Sequence, residues 1–261
     1  MPTRDLASAR KAYKEKDVDL SKKAHDTKSA EEKHKQGKYL KNIVYGGLDG
    51  IITTFAIVAG VMGASLSSGI IIIMGFANLL GDGISMAIGD YLSSKAENEY
   101  AKSERERESW EVENYPEGEK KEMLEIYKSK GISEEDAEKV VSVISKHKEA
   151  WVDLMMLEEL GITPGEESPT KAALATFVSF LIFGFLPLVT FVLAIFIPAM
   201  TNASFTIAII LTALTIFTLG VLKVRVTGKN WFISGIEMLL VGGLAAAAAY
   251  LIGFLLKGLG G

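Results

Sequence analysis

Long apolar stretches alternate with polar segments along this chain. Between residues 42 and 94 the charged residues are Asp49, Asp82 and Asp90, and none occurs in residues 172–222. As one helix, the second stretch would be about 75 Å long, whereas the hydrocarbon core of a bilayer is about 30 Å thick. The pattern therefore predicts that this stretch turns back and crosses a membrane twice.

Turn signals divide the apolar stretches into five predicted membrane helices. A cluster of small polar residues at 65–69 interrupts the first stretch, and a segment with Pro198 at 197–204 interrupts the second. A basic loop at 223–229 precedes the last span. The predicted spans cover about residues 42–64, 70–93, 172–195, 205–222 and 231–256.

Two polar segments lie outside the predicted spans. Residues 1–40 are rich in Lys and Arg and predict a soluble tail that is mobile or weakly helical. Residues 95–171 contain 12 Lys and Arg against 21 Asp and Glu, which gives a net charge of −9. Their composition and two breaks, at 114–116 and 130–133, predict about three helices. The first of these helices would directly continue the second predicted span.

The distribution of Lys and Arg predicts the orientation, because cytoplasmic loops retain positive charge. The tail, the acidic segment and the 223–229 loop contain Lys or Arg, whereas the loops at 65–69 and 197–204 carry no charge. The N-terminus is thus predicted to be cytoplasmic and the C-terminus to lie across the membrane. The fold class is an all-α membrane protein with five transmembrane helices and a cytoplasmic helical insert between the second and third. The predicted parts are a basic tail (1–40), two spans (41–94), an acidic module (95–168) and three spans (169–257).

Composition excludes several kinds of chemistry. The chain has no cysteine, so disulfides, thiolate zinc sites, iron–sulfur clusters and cysteine nucleophiles are all absent. It shows no glycine-rich phosphate loop, no Ser/His/Asp set and no nucleic-acid-binding motif. The sequence therefore predicts neither an enzyme nor a nucleic-acid-binding protein, and no permanently bound cofactor is expected.

Three predicted spans carry a potential ligand at a similar depth. Asp49, Met86 and Glu237 each lie eight or nine residues from the lysine at the cytoplasmic end of their span, or roughly 12 Å along a helix. Ionisable groups inside lipid cost roughly 2.5–3.5 kcal/mol and usually face the interior of a helix bundle. Oxygen ligands beside a thioether suit Fe²⁺ or Mn²⁺ better than Mg²⁺ or Ca²⁺. The alternative for Glu237 is a structural hydrogen-bond acceptor.

The second span carries a stripe of polar residues on one face. Asn78, Asp82, Met86 and Asp90 recur at intervals of four residues. Packing is the usual role of a methionine in a membrane helix, and Asp90 is close enough to the interface for a structural hydrogen bond. A structural role is harder to assign to Asp49, a carboxylate two turns deep between glycines.

The acidic module carries further candidate metal ligands on its three predicted helices. Several carboxylates per helix repel one another unless a cation neutralises them. Two alternatives remain open: a solvated face in which both signs of charge interleave, and methionines that form the core of a helical hairpin. The candidates are Glu108, Glu111, Glu119, Glu122, Met155, Met156 and Glu159.

Four short motifs are shared with one known family. They are YGGLDG at 45–50, DGISM at 82–86, WVDLMM at 151–156 and GFLPL at 184–188. With these motifs the chain resembles the vacuolar iron transporters over about residues 40–255. The order of five spans, with a cytoplasmic insert after the second, agrees with that family.

The resemblance implies a homodimer in membrane lipid whose transport path lies at the subunit interface. It implies export of Fe²⁺ from the cytosol in exchange for protons, with Mn²⁺ and similar divalent ions as further substrates. The membrane would belong to a vacuole or another acidic organelle, or be the plasma membrane of a prokaryote. On matching positions, Asp49 and Met86 correspond to the intramembrane ligands, and the seven module candidates correspond to the family's metal-binding cluster.

Two positions depart from the pattern of some members of that family. Where those carry a Glu in the second span and a Pro in the first, this chain has Asn78 and Thr54. An amide cannot release a proton, so coupling to protons is left to Asp49, Asp82 or Glu237. Asp82 is favoured over Glu237 because it lies one turn from the methionine on the same helix face.

A membrane-anchored metal-buffering or scaffold protein is the alternative function. In that case the module would bind ions or partners, and the spans would only anchor and dimerise the chain. Asp49 argues against this alternative, because an anchor needs no carboxylate inside the membrane.

Overall fold

The computed structural model describes residues 6–26, 39–163, 168–227 and 230–259. These residues form ten α-helices and contain no β-strand, which confirms the predicted all-α class. The helices are α1 (Leu6–Glu15), α2 (Val18–Asp26), α3 (Leu40–Gly63), α4 (Ser68–Asn114), α5 (Pro116–Ser129), α6 (Glu134–Ile144), α7 (Lys148–Glu158), α8 (Pro169–Phe196), α9 (Ser204–Thr227) and α10 (Trp231–Leu255).

Five of the described helices, α3, α4, α8, α9 and α10, are long and apolar enough to cross a membrane. Two of the turns between them fall at the polar clusters that the sequence indicates. Ser65, with φ at 58°, follows the end of α3, and a short 3₁₀ turn at Pro198–Met200 follows α8. The chain is therefore an integral membrane protein, and the prediction of five spans is confirmed.

Helix α4 is much longer than a bilayer requires. It has 47 residues, or about 70 Å, and continues without a break past residue 93, where the predicted span ends. The chain divides into two compact units, Met1–Ala87 with Lys171–Gly261, and Ile88–Thr170. Helix α4 contributes residues to both units.

Glycines let α3 approach α8 closely within the first unit. A Cβ atom on Gly46 or Gly50 would overlap the main-chain carbonyl oxygen of Thr176 or Phe180. Asp49 therefore lies on a turn of α3 whose distance from α8 is fixed by backbone contact. The adjoining core comprises Phe55, Val58, Val61, Ile71, Leu79, Phe180, Leu188, Phe191 and Ala208.

The second unit packs the end of α4 with α5, α6 and α7 around a separate core. Pro116 begins α5, where its fixed φ suits the first helical position. Ser133 caps α6 by accepting a hydrogen bond from the Asp136 N–H at 3.2 Å. The core consists of Val112, Met123, Val141, Trp151, Val152, Met155 and Met156.

One break in the second unit was not predicted from the sequence. In addition to the two expected breaks, the helical path is interrupted between Ile144 and Lys148, which separates α6 from α7. The end of α6 is rich in β-branched residues and serine, which have low helix propensity. His147 has non-helical backbone angles, with φ at −126° and ψ at 85°.

The tail forms two short helices, α1 and α2, within its described part. This agrees with the weakly helical character expected from the sequence. Residues 1–5 and 27–38 of the predicted tail lie outside the described residues.

Candidate metal centre

Three glutamates from different parts of the second unit meet at one point. Glu108, Glu119 and Glu159 each place a carboxylate oxygen within 4.8 Å of those of the other two. Glu108 and Glu119 are 0% and 4% exposed, whereas Glu159 is exposed. Within the described ranges, no other group of three His, Asp or Glu side chains has this geometry.

The local fold explains why these residues converge. Glu108 lies near the end of α4, and Glu119 lies in the first turn of α5, which follows after the single residue Tyr115. Glu159 is the C-cap of α7, where its N–H donates to the Met155 carbonyl oxygen at 3.0 Å. Because all three helices share one hydrophobic core, the carboxylates are held together by apolar packing.

Three of the four carboxylate oxygens of Glu108 and Glu119 are buried without a hydrogen-bond partner among the described residues. Among the described residues, neither oxygen of Glu108 accepts a hydrogen bond, and Oε2 of Glu119 accepts none. Arg107 Nη2 lies 2.7 Å from Glu108 Oε1, but this ion pair lacks the angles of a hydrogen bond. Buried polar atoms are nearly always satisfied in folded proteins. The donor set therefore fits a cation.

Burial and mutual repulsion raise the pKa values of these three carboxyl groups towards neutral pH. Loss of hydration, with the charge of Glu159 next in size, raises the pKa of Glu108 to about 7. Loss of hydration and then the charge of Glu108 raise the pKa of Glu119 to about 7. The pKa of Glu159 is also raised, first by partial loss of hydration although its side chain keeps contact with solvent, and then by the charge of Glu122. A divalent cation would remove the repulsion that produces part of these shifts.

The other two glutamate candidates of the module surround this trio. Glu111 and Glu122 are close enough for their charges to raise the pKa of both Glu108 and Glu119. Glu111 is half-buried and Glu122 is exposed. The structure thus brings all five predicted glutamates to one region of the second unit.

The two methionine candidates are part of the core of the second unit. Met155 and Met156 are each 1% exposed and pack with Trp151 and Val152. This is the packing role that the sequence left open for them. Their position shortly before Glu159 in the chain also places two thioethers on the helix that ends at the carboxylate trio.

A second group of polar residues links α3 with α4 in the first unit. Asp49 is half-buried on α3, and Asp82 on α4 is close enough for the two charges to interact. Asn78 donates from Nδ2 to Thr53 Oγ1 at 3.4 Å, and Thr53 in turn donates to the Asp49 carbonyl oxygen at 2.8 Å. The sequence-predicted residues Asn78 and Asp82 are thus placed beside the helix turn that carries Asp49.

The remaining candidates of α4 are half-buried. Met86 packs against the hydrophobic core of the first unit, and Asp90 lies one turn further along the helix. Packing is the usual role of a methionine in such a helix, and the contacts of Met86 agree with it.

Glu237 and Thr54 have different surroundings. Glu237 is exposed on α10, and its Oε2 lies 3.4 Å from Nζ of Lys223 on α9. Thr54 is fully buried, and its hydroxyl has no hydrogen-bond partner among the described residues. A lysine partner supports the structural alternative for Glu237.

Comparison with known proteins identifies the family. The model of the VIT family matches residues 40–254. The chain belongs to the VIT family. It is 42% identical to a vacuolar iron transporter of Toxoplasma gondii, over 97% of this chain and 89% of that protein. It is 37% identical to the vacuolar iron transporter of Plasmodium falciparum, over 98% of both chains, and 33% identical to vacuolar iron transporter 1 of Arabidopsis thaliana, over 84% and 87%.

These matches confirm the resemblance inferred from the motifs. The relatives of this VIT-family chain are named as transporters and not as enzymes, which agrees with the expectation from its sequence. The family match begins at residue 40 and so leaves out the tail.

Sequence reasoning missed two residues beside the candidate sites of this VIT-family chain. Arg107 forms ion pairs with Glu104, Glu108 and Glu111. Glu104 and Glu111 lie three and four residues from it on the same helix, and this spacing was the signal that the sequence offered. Thr53 connects Asn78 to the backbone of α3, and no sequence pattern pointed to it.

Proposed function

We propose that this chain transports Fe²⁺ out of the cytosol in exchange for protons. The observation that carries the proposal is the interaction of Asp49 with Asp82 inside two apolar helices of a VIT-family chain. Carboxylates at such positions are costly and mark ion pathways by default. The relatives are named vacuolar iron transporters, which supports iron as the cargo.

Met86 supports a transition metal over Mg²⁺ or Ca²⁺ as the cargo. A thioether beside carboxylate oxygens binds ions of intermediate softness, such as Fe²⁺ and Mn²⁺. Asp49 and Met86 are therefore the proposed intramembrane ligands, and Mn²⁺ is a proposed second substrate.

A homodimer would explain the surroundings of Asp82. This carboxylate is exposed on α4, together with Gly81 and Ser85, and a Cβ atom on Gly81 would meet nothing within 4 Å. An isolated chain would expose the charge to lipid, at a cost of roughly 2.5–3.5 kcal/mol. A second copy of the chain packed on this face would shield it and place the transport path at the interface.

The glutamates of the second unit are proposed to collect metal for transport. Buried oxygens of Glu108 and Glu119 that accept no hydrogen bond from any described residue, with Glu159 beside them, support a cation site there. Positive charge in the tail, the acidic module and residues 223–229, of which 223–227 are the end of α9, supports a cytoplasmic location for all three. The site would raise the local metal concentration on the cytosolic side of a vacuolar or similar membrane.

Proton coupling is assigned to Asp82 rather than to Asn78 or Glu237. Asn78 cannot titrate, and Glu237 already has Lys223 as a partner. Asp82 on α4 lies close enough to Asp49 on α3 for the two charges to interact, so a metal ion bound by Asp49 would act on the charge of Asp82.

Purified protein in liposomes tests the proposal. Fe²⁺ uptake should occur, should accelerate when the receiving side is acidic, and should alkalinise that side. A buffering or scaffold protein would bind Fe²⁺ to its acidic module without moving it across the membrane. Binding without uptake at any pH gradient would therefore favour that alternative.

A further inference from the structure

One arginine occupies carboxylates that the candidate metal centre needs. The guanidinium of Arg107 contacts three glutamates of its own helix, at 2.9 Å from Nε to Glu104 Oε2, 2.7 Å from Nη2 to Glu108 Oε1 and 2.6 Å from Nη1 to Glu111 Oε2. All three of its donor nitrogens are used in this way. Arg107 is thus the cation that neutralises this side of the cluster in the structure described.

We infer that Arg107 is an internal counter-cation that a metal ion must displace from Glu108 and Glu111, and that it thereby sets the metal affinity of the cluster. The inference rests on the proposed role of these glutamates as metal ligands. A guanidinium and a divalent cation compete for the same carboxylate charge, because Arg107 donates a hydrogen bond to Glu111 Oε2 and lies in ion-pair contact with Glu108 Oε1. Their like charges also repel at short range.

Glu104 provides a place for Arg107 after displacement. It is not among the candidate ligands, its side chain is 21% exposed, and it lies one turn before Glu108 on α4. The side chain of Arg107 is 42% exposed, so it has room to leave Glu108 and Glu111 while it keeps its bond to Glu104. Metal binding would therefore change Arg107 from three carboxylate partners to one.

A neighbouring arginine offers a matched control. Arg105 lies two residues earlier on α4 and pairs with Glu149, at 2.8 Å, and with Asp153. Neither partner is a candidate metal ligand. Arg105→Gln and Arg107→Gln thus remove the same charge from the same helix, but only the second removes a competitor from the cluster.

The test is calorimetric titration of full-length protein with Co²⁺, which resists oxidation, in detergent at one fixed pH. Glu119→Gln identifies the heat that belongs to the cluster rather than to the membrane site. We expect Arg107→Gln to bind Co²⁺ roughly tenfold more tightly than wild type, the scale of one charge-assisted hydrogen bond, and Arg105→Gln to bind as wild type does. Arg107→Lys, which keeps the charge but loses the three-pronged geometry, should fall between them.

Thermal unfolding gives an independent readout that a purely structural role would not produce. Without metal, Arg107→Gln should unfold at a lower temperature than wild type, because the carboxylates lose their counter-ion. With saturating Co²⁺ the deficit should disappear, whereas any deficit of Arg105→Gln should persist.

Two outcomes separate this inference from the proposed role of the cluster. If wild type binds Co²⁺ at a site sensitive to Glu119→Gln but Arg107→Gln binds equally or less tightly, the inference fails and the metal centre stands. If neither wild type nor any arginine variant shows binding that Glu119→Gln removes, both fail. Binding that appears only in Arg107→Gln would support the inference in its strongest form.

Discussion

Asn78 and Thr53 are joined by a side-chain hydrogen bond between α4 and α3, 3.4 Å from Nδ2 to Oγ1. The Thr53 hydroxyl in turn donates a hydrogen bond to the carbonyl oxygen of Asp49. Uncharged groups therefore join the two helices that carry the intramembrane carboxylates. Asn78 therefore holds the two helices together and has no carboxyl proton to exchange, which leaves the proposed chemistry to Asp49 and Asp82.

Replacing Asp49 with asparagine should abolish transport while preserving the fold. The amide has the shape of the carboxylate but cannot supply the negative charge that a divalent ion requires. We expect Asp49→Asn to elute like wild type in size-exclusion chromatography and to show no Fe²⁺ uptake in proteoliposomes. Uptake at the wild-type rate would remove Asp49 from the transport path.

The close contact between α3 and α8 should make Gly50 intolerant of a side chain. In Gly50→Ala the new methyl group would overlap the main-chain carbonyl oxygen of Phe180, and relieving such an overlap typically costs about 1–3 kcal/mol. Gly243→Ala is the matched control, because a Cβ there meets nothing within 4 Å. We expect a lower melting temperature in detergent for Gly50→Ala only. Equal melting temperatures for the two variants would contradict tight backbone packing between α3 and α8 at this turn.

The five spans could be predicted because their signal is local. Charge is nearly absent over the lengths that a bilayer requires, and the turns are marked by small polar residues or proline. The continuation of α4 to Asn114 was foreseeable for the same reason, since residues 95–115 contain neither glycine nor proline. The break between α6 and α7 depends on the low helix propensity of residues 140–147. These propensities are too weak to indicate the position of a break from the sequence.

The candidate metal centre could be predicted only in part. The spacing of Glu108 and Glu111 predicted that they lie on one face of a helix. Only the family resemblance predicted that they form one cluster with residues on the later helices. The burial of Glu108 and Glu119 depends on tertiary packing around Met123 and Trp151, which no local pattern encodes. The ion pairs of Arg107 were hidden because alternating charges are common on solvated helix faces.

The stability of the metal-free protein should fall as the pH rises. Glu108 and Glu119 have pKa values of about 7 in the folded chain against an ordinary value of 4.5, so the folded state binds more protons than the unfolded state between these values. Their contribution to stability is fully present below pH 4.5 and is lost as the pH rises through about 7. The melting temperature should therefore be higher at about pH 5 than at about pH 8.

Glutamine substitution provides the control for this pH dependence. In the double variant Glu108→Gln, Glu119→Gln the slope between about pH 5 and pH 8 should flatten, because neither side chain titrates. Saturating Co²⁺ at about pH 8 should stabilise wild type by more than it stabilises the double variant, which keeps the proposed intramembrane ligands Asp49 and Met86. A slope that persists unchanged in the double variant would assign it to other groups.

The last prediction concerns the group that couples metal movement to protons. Asp82 lies close enough to Asp49 for the two charges to interact, whereas Glu237 lies 3.4 Å from Lys223 in an ion pair between α9 and α10. In proteoliposomes loaded with a pH-sensitive dye, Asp82→Asn should therefore reduce the proton movement that accompanies each Fe²⁺ ion at least several-fold. Glu237→Gln should leave that ratio unchanged and lower mainly the melting temperature, because it breaks an ion pair between α9 and α10. An unchanged ratio in Asp82→Asn, or a loss of coupling in Glu237→Gln alone, would reverse the assignment, since the carboxylate that exchanges its proton must be the one whose removal uncouples the two flows.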